Sequence, residues 1–265
     1  MAGSEHKFTE VQGIKLHYLE WGDPAKPDLL LVHGWTNFSA SWTGVAENFR
    51  DRYHIVAPDL RGHGESDKPQ TGYRLRDFAE DIRQLIKNLE LTRPAYVGHS
   101  WGGNIGTILA ADSPALISRA FLEDPVYWRM IHAFMTSLPG ALARRAKPEA
   151  EIRAEAQQKG LSKADENLEV YKAHHFSSHA LTRLQTDNRD WAIEFETYFR
   201  RIDVPTTILV ADHKAGGAIM REELTYLQRL APPQVKFEFW ENIGHGMKAA
   251  KPAEYNNALE AWLKQ

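Results

Sequence analysis

Between the apolar run Pro94-Ala95-Tyr96-Val97 and the helical stretch Asn104-Ile105-Gly106-Thr107-Ile108-Leu109-Ala110 lies Gly98-His99-Ser100-Trp101-Gly102. This G-x-S-x-G spacing describes a strand that turns sharply into a helix, with the serine at the corner and its hydroxyl pushed out of the sheet. The flanking glycines suit a strained turn in which helix and strand pass close together. The pattern alone would arise by chance in about 5–10% of chains this long. Its strand-then-helix setting is what gives it weight.

The rest of the chain supplies a sheet for that corner. Phe8 to Glu20 alternates around a turn at Gly13, which predicts a hairpin. Asp28–His33, Tyr53–Pro58 and Pro94–Gly98 are continuous apolar runs, as strands buried on both faces require. Ser118–Leu122, Pro205–Val210 and Val235–Trp240 continue the series. Helical periodicity lies between them. Leu75, Phe78, Ile82, Leu85, Ile86 and Leu89 mark one face of a helix over Tyr73–Leu89, and Ala253–Leu263 closes the chain the same way. Alternating strands and helices predict a mostly parallel sheet covered on both faces.

One stretch breaks the alternation. Asp124–Arg201 shows no strand pattern and is rich in charge and aromatic residues. It reads as a helical insertion over the carboxyl end of the sheet, where open α/β sheets bind ligands. Glu149–Lys163 is its most polar part and is expected to face solvent.

A serine hydroxyl is a weak nucleophile and needs a base. His245, in Gly244-His245-Gly246, follows the last strand and precedes the last helix, where it can reach back over the sheet to Ser100. The base in turn needs an acid to fix its tautomer. Asp124 follows the Ser118–Leu122 strand and Asp212 follows the Thr206–Val210 strand; Glu123 is a third candidate. Chain order and strand-end position do not separate the first two. An oxyanion needs backbone N–H groups, and Trp101 and Trp35 are placed to supply them. Trp101 opens the helix after the serine, and Trp35 lies in the loop His33-Gly34-Trp35-Thr36.

Trp35, Phe38, Trp42, Trp101, Tyr127 and Trp128 fall on loops at one end of the sheet and are candidates for an aromatic pocket. His174, His175 and His179 have no carboxylate at a clear ligand spacing, so no metal site is expected. The chain has no cysteine, which removes disulfides and thiolate chemistry. Its net charge of −3 gives no sign of a nucleic-acid or anionic-membrane partner. With 43% hydrophobic residues, no secretory leader pattern and no apolar run near membrane-spanning length, it reads as a cytoplasmic globular protein.

Leu29-Leu30-Leu31-Val32-His33-Gly34-Trp35, Ala57-Pro58-Asp59-Leu60-Arg61-Gly62-His63-Gly64-Glu65-Ser66, Gly98–Gly103 and Gly244-His245 together resemble the α/β-hydrolase superfamily. Order and spacing agree across almost the whole chain. The resemblance implies an α/β-hydrolase fold with a core of residues 1–125 and 201–265 and a helical cap at 126–200. Members commonly carry the acid shortly after the seventh strand, where this chain has Lys214; another branch carries it after the sixth. Asp124, 24 residues beyond Ser100, falls on that second position. The resemblance therefore favours Asp124 over Asp212.

It further implies a serine hydrolase of carboxylic esters or lactones, acting without a cofactor. The substrate would be bulky and largely apolar, a macrocyclic lactone among the candidates, and held by Trp35, Phe38, Trp101, Tyr127, Trp128 and Phe176. Serine rather than aspartate at position 100 argues against haloalkane dehalogenase or epoxide hydrolase chemistry. Two other readings share the pattern: a cofactor-free dioxygenase of an aromatic heterocycle, and a non-catalytic ligand receptor. The fold alone does not choose among them.

Overall fold

The computed structural model describes residues 3–127 and 139–265. Eight strands form a single sheet: β1 (Glu5–Val11), β2 (Ile14–Trp21), β3 (Asp28–Val32), β4 (His54–Pro58), β5 (Ala95–His99), β6 (Arg119–Glu123), β7 (Thr206–Ala211) and β8 (Val235–Trp240). Their spatial order is β1-β2-β4-β3-β5-β6-β7-β8. The first two strands form the hairpin read from the sequence. β2 pairs antiparallel with β4, and every later pairing is parallel. Strand order reverses around β3, so the loops leaving β3 and β5 diverge and open a crevice at the carboxyl end of the sheet.

The apolar runs divide by strand parity into two cores. Leu30, Val32, Val56, Tyr96, Leu122, Ile208 and Val210 face one way. There they meet α2 (Leu75–Asn88) through Phe78, Ile82 and Leu85, and α3 (Trp101–Asp112) through Ile105 and Ile108. Leu29, Leu31, Ile55, Val97, Phe121 and Leu209 face the other way. They meet α1 (Thr43–Phe49) and, late in the chain, Tyr255, Leu259 and Trp262. Period-two strands and period-3.6 helices thus bury complementary faces on both sides of one sheet. β8 is an edge strand: Val235 is buried, while Phe239 on the same strand is largely exposed.

The segment between β6 and β7 is helical and contributes no strand to the sheet among the described residues. Among the described residues its helices include α4 (Glu149–Gln158), α5 (Lys163–His174), α6 (Ser178–Asp187) and α7 (Trp191–Phe199). α4 buries only Ile152 and Ala156, in keeping with its polar sequence. Asn188 ties the segment to the core: its side chain accepts from the Leu75 N–H at 2.7 Å and donates to the Tyr73 carbonyl at 2.7 Å. A single β-bridge joins His63 to Phe176. After β7 come α8 (Arg221–Leu230), β8, α9 (Met247–Ala250) and α10 (Pro252–Leu263). No described helix is long and apolar enough to cross a membrane.

The turn from β5 into α3 runs against the end of β3 with no room for a side chain. A Cβ on Gly102 would lie 2.3 Å from the Val32 carbonyl oxygen and 2.9 Å from that of His33, both backbone atoms. Gly102→Ala is therefore expected to push α3 off β3 and cost about 1–3 kcal/mol, the range for overpacking a well-packed interior. For a domain of this size that lowers the melting temperature by about 3–10 °C. Thermal unfolding followed by circular dichroism checks it; a shift under 1 °C would mean the contact has slack.

Candidate active site

Ser100 sits at the corner between β5 and α3 with φ 53° and ψ −114°. A left-handed φ on a non-glycine residue costs energy and is kept only where surroundings enforce it. Here the Ser100 N–H donates to the Glu123 carbonyl at 2.8 Å, locking the corner to the end of β6. Other non-glycine residues with positive φ gather nearby: Thr36 (57°), Asp124 (42°) and Asn242 (60°). They lie in the loop after β3, at the end of β6, and in the loop after β8 that carries His245.

His245 meets Asp124 and not Asp212. Its Nδ1 lies 2.6 Å from Asp124 Oδ2, and the Asp124 side chain is fully buried. The same carboxylate accepts the Ala218 N–H at 2.7 Å and the Ala211 N–H at 3.2 Å. Three donors on one carboxylate compensate its burial. Behind it, Asn104 on α3 makes two hydrogen bonds to the backbone of Val126, at 2.6 and 2.8 Å, which fixes the chain just after the acid.

Asp212 has a different task. Its carboxylate accepts the N–H groups of Lys214 at 2.9 Å and Asn242 at 3.0 Å, and these bonds hold its pKa below the usual carboxylate value. It closes its own loop and ties that loop to the one bearing His245. Glu123 faces the opposite side of β6 and pairs with Lys248 at 3.5 Å.

The loop after β3 presses on the serine. A Cβ on Gly34 would lie 2.8 Å from Ser100 Cβ, so only glycine lets Trp35 follow so closely. His33 holds this loop from beneath. Its Nε2 accepts the Leu60 N–H at 3.0 Å, so the proton is on Nδ1, which donates to the Gly34 carbonyl at 2.7 Å. Burial lowers the His33 pKa to about 4 and keeps it in this neutral form. Trp101 is the first residue of α3, so its N–H lacks a partner within the helix. Trp35, which follows Gly34, and Trp101, which follows Ser100, thus belong to two separate segments that meet at the serine.

The aromatic residues divide. Trp35 packs edge-on against Trp101 (6.0 Å between ring centroids) and Phe176 (5.2 Å). Phe38 lies 4.4 Å from the Tyr171 ring. Trp42 corrects the sequence expectation: it is fully buried, with Lys248 Nζ 4.4 Å from its ring centroid, and belongs to the core. Its apolar neighbours on α1 and α10 cover it. Tyr127 is buried against Phe195 (3.9 Å) and lines a cavity of about 640 Å³ with Ile193, Leu227 and Leu230. That cavity's described lining includes neither Ser100 nor His245. Trp128 lies outside the described residues.

Three residues escaped the sequence reading. His99 lies with its ring centroid 4.8 Å from that of His245, tilted at 45°, and its Nε2 lies 3.0 Å from the His245 carbonyl oxygen. Asn104 was visible only as a polar residue within an apolar helix. Asp59 accepts from the Ser39 N–H (2.6 Å), the Glu65 N–H (2.9 Å) and His17 Nδ1 (2.7 Å), and so ties the loop after β4 to the chain beyond Trp35.

Residues 27–215 match the family model described as the alpha/beta hydrolase fold. Among curated proteins, the chain is 34% identical over 121 residues to a soluble epoxide hydrolase of Corynebacterium sp. (strain C12), covering 46% of this chain and 42% of that one. It is 38% identical over 143 residues to epoxide hydrolase 4 of Mus musculus, covering 52% and 40%. These matches thus span less than half the length of either relative. Among solved structures, E-2-(acetamidomethylene)succinate hydrolase superposes with a TM-score of 0.83 at 22% identity, covering 99% of this chain and 100% of that one. At that identity the likeness concerns the fold.

Buried neutral histidines around the site make stability depend on pH. Burial lowers His33 to about 4 and His63 to about 3, and pushes His99 well below its ordinary value. Between about pH 6.5 and 4 the unfolded chain binds protons at these positions and the folded chain does not. Stability is therefore full above about pH 6.5 and falls as pH drops through that window, by up to about 1 kcal/mol per pH unit for each ring. Urea midpoints at pH 7, 6 and 5 should decrease in that order. Equal midpoints at pH 7 and 5 would mean that the rings are protonated in the fold.

Proposed function

Because the chain belongs to the α/β-hydrolase fold family, we propose that it is a serine hydrolase of a carboxylic ester or lactone, acting through an acyl-enzyme. The observation that carries this reading is the 2.6 Å contact between His245 Nδ1 and a buried Asp124, at the carboxyl end of the same sheet as the strained Ser100 corner. Ser100 Oγ attacks the substrate carbonyl carbon. His245 Nε2 takes the hydroxyl proton and passes it to the leaving oxygen. Asp124 holds Nδ1–H and stabilises the imidazolium. The N–H groups of Trp35 and Trp101 receive the oxyanion. Water, activated by His245, then cleaves the acyl ester and frees the serine. The helices α4 to α7 serve as a cap over this centre, and Trp35, Phe38, Trp101 and Phe176 give a bulky, largely apolar substrate its wall.

The epoxide hydrolase relatives do not carry over their named reaction, for a chemical reason. An epoxide opened by Ser100 Oγ would leave a dialkyl ether on the enzyme. An ether has no carbonyl for water to attack, so the enzyme would stop after one turnover. A carboxylic ester or lactone leaves an acyl group that the same His245 and oxyanion site can release.

Three variants test the assignment. Ser100→Ala should abolish turnover while circular dichroism reports an intact fold, since loss of a triad nucleophile costs about 10⁶ in a well-studied case. Folded Ser100→Ala protein with near-wild-type turnover would overturn the serine mechanism. Asp124→Asn should lower kcat by about 10⁴, as an amide cannot stabilise the imidazolium and can favour the wrong tautomer. Asp212→Asn should stay within about tenfold, because its partners are loop amides. The reverse ranking would place the acid after β7.

A further inference from the structure

A second cavity, of about 310 Å³, opens beside the loop after β3. It is lined by Thr36, Phe176 and Leu181 together with Arg144, Arg145, Glu169 and Lys172. The volume is at the small end of ligand sites and holds about ten water-sized groups. Its position is informative. Thr36 follows Trp35, and the Phe176 ring packs on the Trp35 ring. The cavity therefore begins where the proposed oxyanion loop ends.

The charges around it are unbalanced. The lining holds three cations and one carboxylate, and Arg144 also pairs with Glu155 at 3.3 Å. Glu169 is already held by Arg144 at 2.6 Å and by Lys172 at 3.4 Å. Arg145 meets no carboxylate among the described residues. Its Nη1 donates to two carbonyls at the end of α5, Ala173 at 3.3 Å and His174 at 3.1 Å. Those bonds fix the guanidinium plane and leave Nε and Nη2, the other edge of the fork, to pair with a ligand. Charge of the same sign extends beyond the lining: Arg145 is near enough to Lys68 to help burial lower that ammonium's pKa. Half-buried cations held by backbone bonds beside an apolar ring suit a ligand with an apolar body and a planar anionic end.

We propose that this cavity is a carboxylate subsite, so that the substrate is an ester whose acyl or alcohol part ends in a free acid, gripped by Arg145 and Lys172. The inference rests on the ester-hydrolase reading and narrows it to acid-terminated esters. Phe176 covers the chain between the two ends. The acid sets the register that brings the ester carbonyl to Ser100.

The test compares monomethyl with dimethyl esters of succinate, adipate and suberate by pH-stat titration. Each pair differs in one charge and hardly in shape. The half-ester of best length should have a kcat/KM at least tenfold above its diester, and raising the salt concentration should shrink that advantage. Arg145→Gln should cut the ratio of half-ester to diester about tenfold. Because Arg145 also bonds the end of α5, Lys172→Gln is the second variant, and should lower the same ratio several-fold. Diester turnover with a ratio near one, or a ratio that neither variant moves, would remove the subsite and leave the hydrolase standing.

If no ester is turned over, the hydrolase reading fails, and calorimetry with monomethyl suberate and Ser100→Ala protein tests the subsite separately. Binding that Arg145→Gln weakens about tenfold would support the subsite. No binding at millimolar ligand would overturn it.

Discussion

Three backbone segments meet at Ser100 with no side chain between them. The end of β3, the turn from β5 into α3 and the end of β6 approach so closely that Gly34 and Gly102 have no space for a Cβ. Much of the site follows from that approach. It directs the amino end of α3 at the crevice and sets Trp35 beside Trp101. It also forces Ser100 into a backbone conformation that a serine does not adopt freely. The hydrogen bond from the Ser100 N–H to the Glu123 carbonyl then joins the corner to the strand whose next residue is Asp124. Ser100 and Asp124 are held in register by the sheet itself.

The polar groups around this centre show how it remains ordered where little water enters. His33 accepts one backbone bond and donates another, a role open only to its neutral form. Asp124 accepts three bonds and Asp59 accepts from three partners. These three groups are held by fixed backbone partners and neighbouring rings, an arrangement that limits rearrangement when a charge changes beside them.

The sheet and the serine corner were legible because they rest on local periodicity. Runs such as Leu29–Val32 and Thr206–Ala211 are apolar on both faces, and only a parallel interior strand needs that. No alternation occurs between Asp124 and Arg201, and the described residues of that stretch add no strand to the sheet. The choice between Asp124 and Asp212 was not legible from the residues. Both are aspartates just past a strand end, and what separates them is which backbone N–H groups point at each. That depends on the path of residues 211–218, which no local pattern encodes. Trp42 misled for a related reason: a tryptophan beside loop residues looks like a pocket wall until α1 and α10 close over it. Contacts such as Asn104 with Val126 join positions distant in sequence and leave only a polar residue in an apolar helix as their trace.

The carboxylate of Asp124 does one thing more. It accepts the N–H of Ala211 on one oxygen and that of Ala218 on the other, so a single side chain spans both ends of the loop between them. Asp212 closes that loop a second time from inside, bonding Lys214 and Asn242. The excursion from 212 to 217 is thus a stapled handle whose two feet are fixed by the carboxylate that meets His245. His213 and Lys214 at its tip are exposed, whereas a Cβ on Gly244 would lie 2.3 Å from the Ala215 carbonyl oxygen and Gly216 holds a left-handed φ of 97°, so the tip packs against the loop that carries His245. Loosening either foot would be felt at the imidazole.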